Sequence, residues 1–107
     1  MTDERLELLR QLVALSEEHL EAARALDAPR IQEIVTRRTD VMFALSVAMQ
    51  DGLPEDPELI EELRDGTKRL RDLERRTQDV ATVVLGALGR VLPARPSTYG
   101  RYGELRP

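Results

Sequence analysis

The sequence predicts an all-α protein, a long antiparallel helical hairpin whose first arm is kinked near Pro29 and which ends in a polar C-terminal tail. Apolar residues recur every three or four positions along most of the 107-residue chain, which is the helical period. Aromatic residues make up 3% and charged residues 34%, a composition typical of long helices that meet along narrow apolar seams. Helix-breaking residues cluster near 52–57 and from Pro93 onward. We therefore expect a helical hairpin over 1–92, with arms at about 3–50 and 57–92, and a flexible tail over 93–107.

The first arm begins with two adjacent apolar rows, which together predict a broad apolar helix face. One row is Leu8, Leu12, Leu15, Ala22 and Leu26, and the other is Leu6, Leu9, Val13, Leu20 and Ala23. Thr2 or Asp3 is the expected N-cap, because a short polar side chain there accepts a hydrogen bond from the first helical turn.

The regular spacing falters at Asp27-Ala28-Pro29 and then resumes from Ile31. Asp27 could cap a new helix with Pro29 in its first turn, where the missing N–H costs nothing. Alternatively, one long helix bends at the proline. Because no glycine stands nearby to reverse the chain, the sequence favours the kink.

A firmer break follows at "QDGLPEDPEL", residues 50–59. Gly52 suits a helix C-cap, and Asp56 before Pro57 is a cap followed by proline at the first helical position. The short connection predicts an antiparallel return. The next helix has about 35 residues and a length of roughly 50 Å. We expect the pairs Asp65/Arg69 and Asp72/Arg76 to form ion pairs on its exposed face.

Two features of the C-terminal region indicate a contact with another protein. The segment "VATVVLGALGRVL", residues 80–92, is apolar nearly all the way round and contains Gly86 and Gly89. It either packs on the first helix of the same chain or accepts a helix from elsewhere. The only two tyrosines, Tyr99 and Tyr102, lie in the tail. Tyrosine is enriched at protein interfaces, although a tail tyrosine can also have no role.

Residue types that carry catalysis or metal binding occur without the arrangement such chemistry needs. His19 is the only histidine, and Ser16 lies one turn before it, but no strained nucleophile turn or oxyanion loop accompanies them. The acidic residues fall mostly on outward faces and contain no Glu-x-x-His motif. We expect no enzyme activity, no cofactor and no metal site.

The arginine-rich stretch "RLRDLERRT", residues 69–77, is interrupted by Asp72 and Glu74, and the net charge of the chain is −4. A salt-bridged helix face is a better interpretation than a nucleic-acid surface, which remains a minor alternative. The N-terminal stretch "MTDERLELLR" does not resemble a secretory signal, and no apolar run is long enough to span a membrane. We expect a cytoplasmic protein with no direct membrane insertion.

Two segments carry a resemblance to a known family. The first is "LLRQLVALSEEHLEAARALDAPRIQEIVTRRTDVMFAL", in which a helix of pattern L-x-x-L leads into Asp27, Ile31, Ile34 and Arg37 or Arg38. The second is "STYGRYGEL", which looks like a Tyr-x-x-x-Gly signature at Tyr99 and Gly103. Together they resemble the flagellar export chaperones of the FlgN type, small acidic proteins that serve type III secretion.

The resemblance implies a function and two sets of site residues. Such chaperones bind the helical C-terminal segments of hook-associated proteins, which form the hook–filament junction, and deliver them to the export gate. Tyr99 and Gly103 would contact the export gate. The client-binding face would consist of Val80, Val83, Val84, Ala87, Leu88 and Val91.

Two alternatives stay open. One is a homodimeric four-helix bundle with a structural or adaptor role, in which the apolar surface meets a second copy; a weak homodimer is also compatible with the chaperone. The other is the related chaperone type that binds the filament cap.

Overall fold

The computed structural model describes residues 3–91, the side chain of Val91 excepted, and residues 1–2 and the tail predicted for 93–107 lie outside that range together with Leu92. Three helices account for most of the described chain: α1 at Glu4–Arg24, α2 at Ala28–Ala48 and α3 at Pro57–Val91. A 3₁₀ turn at Met49–Asp51 extends α2, and residues 3–91 contain no strand. The predicted all-α class is confirmed.

The predicted kink near Pro29 is wrong, because the chain reverses direction one turn earlier. Leu26 adopts a left-handed conformation with φ of 55°. Its N–H donates to the carbonyl of Ala23 at 3.1 Å, and the N–H of Asp27 donates to the carbonyl of Ala22 at 3.0 Å. These two bonds form a Schellman motif, which closes a helix and turns the chain. A reversal here was not expected without a glycine, but a leucine occupies the left-handed position.

Asp27 both ends the turn and begins α2. Its side chain accepts a hydrogen bond from the N–H of Arg30 at 3.2 Å, and Pro29 lies in the first turn of the helix. The alternative to the kink, in which Asp27 caps a new helix, is therefore confirmed. The connection between the two helices is only three residues long, and α2 folds straight back along α1.

Contacts along α1 and α2 show that the two helices are antiparallel. Near the turn, Arg30 lies 3.8 Å from the carboxylate of Glu18. At the opposite end, the Arg5 guanidinium donates to the carbonyl of Gly52 at 2.9 Å. The first arm of the predicted hairpin is therefore itself a hairpin, and residues 3–91 form three helices in place of the two predicted arms.

α3 begins as predicted. The side chain of Asp56 accepts a hydrogen bond from the N–H of Glu58 at 3.0 Å, and Pro57 is the first helical residue. The helix returns antiparallel to α2 and so runs parallel to α1. It packs mainly on α1, whereas the backbones of α2 and α3 barely approach each other.

α1 is the central helix and supplies most of the core. Both of its predicted apolar rows are buried over much of their length, one against α2 and the other against α3. Gly66 of α3 faces Leu9, and a Cβ at Gly66 would lie 2.6 Å from the Cδ2 atom of Leu9, so glycine permits the close approach of α1 and α3. The buried apolar residues are Leu6, Leu9, Leu12, Leu15, Leu20, Ala22, Ile34, Leu63 and Leu73.

Replacing Leu26 by glycine should stabilise the protein by about 0.5–1 kcal/mol. Glycine removes the cost of the left-handed conformation, which is roughly 1–2 kcal/mol for leucine. It also increases the entropy of the unfolded chain, which opposes folding by about 0.4–1 kcal/mol. The Leu26 side chain is 65% exposed, so little packing is lost. Leu26→Ala keeps the strain and is the matched control. Urea unfolding measures the free energy of unfolding of both variants. If residues 24–28 were instead part of a continuous helix, the glycine variant would be about 1 kcal/mol less stable than the alanine variant.

Candidate functional site

The C-terminal part of α3 extends beyond the end of α1. α3 has 35 residues and α1 has 21, a difference of 14 residues or about 21 Å. The two helices begin at the same level, because Leu59 packs on the cluster that contains Leu6. The excess length therefore lies at the C-terminal end of α3. We call residues 80–91 the α3 extension.

The α3 extension presents apolar side chains to solvent. Val83 and Leu85 are each 68% exposed and Leu88 is 47% exposed. Val80 and Val84 are half-buried at the base of the extension, where they continue the apolar stripe of α3 that packs in the body. Large apolar side chains exposed together in one segment are typical of a contact surface.

The predicted client-binding residues therefore divide into two groups. Val80 and Val84 are half-buried, whereas Val83, Ala87 and Leu88 are exposed. Val91 is the last residue of α3, and its side chain lies outside the described residues.

The surface of the α3 extension is uncharged and open at its glycines. No charged residue stands between Asp79 and Arg90. A Cβ at Gly89 would meet nothing within 4 Å, and one at Gly86 would meet only the tip of Arg90 at 3.8 Å. The backbone of another helix could therefore approach closely here, whereas α1 of the same chain does not cover these positions.

A small polar cavity of about 280 Å³ separates the three helices near their middle. Arg38 of α2 reaches across it to Glu74 of α3, with 2.9 Å between Nη2 and Oε2. The Oγ atom of Ser16 is buried and makes no hydrogen bond to any described residue, so it does not pair with His19 as an activated nucleophile would. The cavity is open to solvent beside Glu74, Gln78 and Ala81, which are exposed.

Arg38 is the arginine of the resembling segment that faces inward. It lines the polar cavity, whereas Arg37 is exposed on the other side of α2. Burial lowers the pKa of His19 below its ordinary value of 6.5, and the nearby Arg38 guanidinium lowers that pKa further. His19 is therefore held in its neutral form next to a fixed positive charge.

The arginine-rich stretch of α3 is a salt-bridged face, as predicted. Asp72 lies 2.7 Å from Arg75, 3.1 Å from Arg76 and 3.6 Å from Arg69. The predicted pairing of Arg69 with Asp65 is wrong: Arg69 also reaches Glu17 of α1 at 3.1 Å. α1 lies close enough to compete for this arginine because it runs directly beside α3.

The described residues were also compared with the requirements of a metal site and of a membrane-spanning helix. Within residues 3–91, no group of three or more His, Cys, Asp and Glu side chains is arranged to hold a metal ion. No helix in this range has the length and hydrophobicity needed to cross a membrane. Tyr99 and Gly103, the predicted export-gate contacts, lie outside the described residues. Comparisons of the chain with protein-family models, curated proteins and solved structures gave no match.

The lowered pKa of the half-buried His19 should make the protein less stable as the pH falls. The pKa of His19 is lower in the folded state, so between that pKa and about 6.5 the unfolded chain binds more protons, and acid favours unfolding. His19→Gln stays neutral throughout. Urea unfolding at pH values from about 7.5 to 5.5 should show a steeper loss for the unmodified protein. If the stability of the two proteins fell equally with pH, His19 would have the same pKa in the folded and unfolded chain, which would contradict the prediction.

Proposed function

We propose that this protein is a cytoplasmic export chaperone of the FlgN type, which binds the helical C-terminal segment of a hook-associated protein and delivers it to the export gate. The observation that carries the proposal is the uncovered apolar surface of the α3 extension. The resemblance of two segments of the sequence to that family supplies the identity of the client. The shape of the surface supplies the mode of recognition.

The α3 extension suits a helical client. An amphipathic helix can lay its apolar stripe along Val83, Ala87 and Leu88, with Val80 and Val84 at the base. Gly86 and Gly89 lie on the other side of α3 from this stripe, so they take no part in the proposed contact. Fully burying one Val or Leu side chain contributes about 1.5–3 kcal/mol. A few such contacts are enough to hold a client whose own apolar stripe would otherwise aggregate.

Because the α3 extension lacks charge, it recognises the apolar stripe of the client. Because residues 80–89 are uncharged, the surface selects for apolar shape rather than for ion pairs. Such selection allows several related clients to share one surface. In this proposal the protein has no catalytic role, since binding and release of the client are the whole of its activity.

The residues that follow α3 complete the proposal. Tyr99 and Gly103 contact the export gate, and the three arginines and one glutamate of residues 92–107 give that segment a net charge of +2. Client and gate are then recognised by neighbouring but separate segments. The chaperone can therefore hold its client while it docks.

Charged substitutions on the α3 extension should weaken client binding without unfolding the protein. We expect Val83→Asp with Leu88→Asp to weaken binding by at least about tenfold, since two apolar contacts are lost. The probe is a synthetic helix from the C-terminus of a hook-associated protein of the same genome, measured by calorimetry. Phe43→Asp with Val47→Asp, two exposed apolar residues of α2, is the matched control.

The same titration separates the chaperone from its alternatives. Binding of the filament-cap protein's helix in place of the junction helix would indicate the related chaperone type. A tight homodimer in sedimentation that the Val83→Asp and Leu88→Asp variant disrupts, with no binding of either helix, would contradict the chaperone and favour the homodimeric bundle.

Tyr99→Ala should separate delivery from client binding. Tagged protein isolated from the native cells should retain the hook-associated client with either residue at position 99, because the client lies on α3. The export-gate protein should be recovered only with tyrosine. Tyr102→Ala is the matched control, since it removes the other tyrosine of the same segment. Equal recovery of the gate protein with Tyr99→Ala would contradict the assignment.

A further inference from the structure

A second surface lies at the opposite end of α3, between α3 and α2. The two helices diverge there, because each packs on α1 and their backbones barely approach each other. The space between them is a cleft of about 460 Å³. Its residues are Met49 and Leu53 from the end of α2 and the following loop, with Ile60, Leu63, Arg64, Thr67, Lys68 and Arg71 from α3. We call this the α2–α3 cleft.

The floor and one wall of the α2–α3 cleft are apolar. Met49 and Ile60 are half-buried, and Leu53 is 67% exposed. Met42, two helical turns before Met49 on the same face of α2, is 48% exposed. The α2 wall carries no charge between Asp40 and Asp51. Methionine side chains are flexible and adapt to irregular apolar partners, so this wall suits a docked helix.

The other wall of the cleft is basic. Arg64, Lys68 and Arg71 follow one another at helical spacing along α3. Arg64 makes an exposed ion pair with Glu61 at 3.1 Å. Neither Lys68 nor Arg71 forms an ion pair with any residue in the described part of the chain. A row of positive charge with two uncompensated members thus borders an apolar floor, on a protein whose net charge is −4.

We propose that the α2–α3 cleft binds an amphipathic helix of a partner protein that carries acidic residues along one flank. The apolar stripe of that helix lies on Met49, Leu53 and Ile60, and its acidic flank lies along Lys68 and Arg71. This surface is independent of the proposed export function, because it lies at the far end of α3 from the α3 extension and recognises charge as well as shape.

Charge complementarity distinguishes this occupant from two others within reach. The α3 extension of a second copy is uncharged from residue 80 to residue 89 and offers nothing to the basic wall. The C-terminal residues 92–107 of the same chain have a net positive charge and are repelled by it. Only a partner with acidic side chains satisfies both walls of the cleft.

The test uses two synthetic helical peptides of about 20 residues with the same apolar stripe, one flanked by Glu and one by Lys. Fluorescence anisotropy measures their binding to the full chain, and NMR of the methionine methyl groups locates it. We expect the Glu peptide to bind, with a dependence on salt, and to shift the methyl signals of Met42 and Met49. The Lys peptide should bind at least about tenfold more weakly.

Matched charge reversals assign the binding to the cleft. The double substitution Lys68→Glu with Arg71→Glu should lower the affinity for the Glu peptide by about tenfold or more. Arg10→Glu with Arg37→Glu changes the net charge equally on other exposed surfaces and should leave binding unchanged. Equal binding of both peptides, or an unchanged affinity after reversal at Lys68 and Arg71, would overturn the proposal. Shifts of Met42 and Met49 that grow with protein concentration alone would identify a second copy as the occupant and would also overturn it.

Discussion

The fold depends on the burial of α1 between two helices. α1 carries apolar residues on two adjacent rows, and both rows must be covered if this helix is to be stable in water. A single partner helix covers only one row, so α2 and α3 are both required. Leu9 and Leu63 join α1 to α3, whereas Leu15 and Ile34 join α1 to α2. Because each outer helix buries its core-facing side chains on α1, neither needs extensive contact with the other.

The separation of α2 from α3 produces the surfaces on which function is proposed. Where the two helices diverge, a cleft with one basic wall remains open. In the middle, the ion pair of Arg38 with Glu74 spans the gap at the polar cavity that His19 also lines. At the far end, α1 and α2 meet in a short turn while α3 continues. The two proposed binding surfaces therefore follow from one packing arrangement.

Elements whose boundaries depend on local chemistry could be predicted from the sequence. Asp56 before Pro57 marks the start of α3 by a side-chain cap and a proline, and both signals act within a few residues. The reversal at Leu26 could not be predicted in this way. A leucine in a left-handed conformation is locally unfavourable, and it is maintained by the packing of α2 on α1, which no local pattern reports. The choice between Arg37 and Arg38 likewise required the position of Glu74 on a distant helix.

The reversal at Leu26, in place of the predicted kink, also changes how much of the predicted client-binding face is exposed. A single arm over residues 3–50 would be longer than α3 and could cover it along its whole length. With the reversal, α1 ends at Arg24 and does not extend along the C-terminal part of α3. The candidate residues Val83 and Leu88 were chosen from their sequence pattern, but their exposure follows from the lengths of the helices. Gly66 was missed because a glycine within a helix has no local signal for the leucine that it faces.

The three-residue connection between α1 and α2 also has consequences for the order in which the chain folds. Residues that meet across this turn are close in sequence, so closing the loop costs little entropy, and the α1–α2 pair can form on the timescale of a local helical hairpin. Contacts such as that of Glu17 with Arg69 span far more of the chain and must wait until α3 is docked. During synthesis the N-terminal pair emerges first and exposes one row of α1 until α3 arrives. The nascent chain therefore passes through a stage in which its own core resembles an unprotected client.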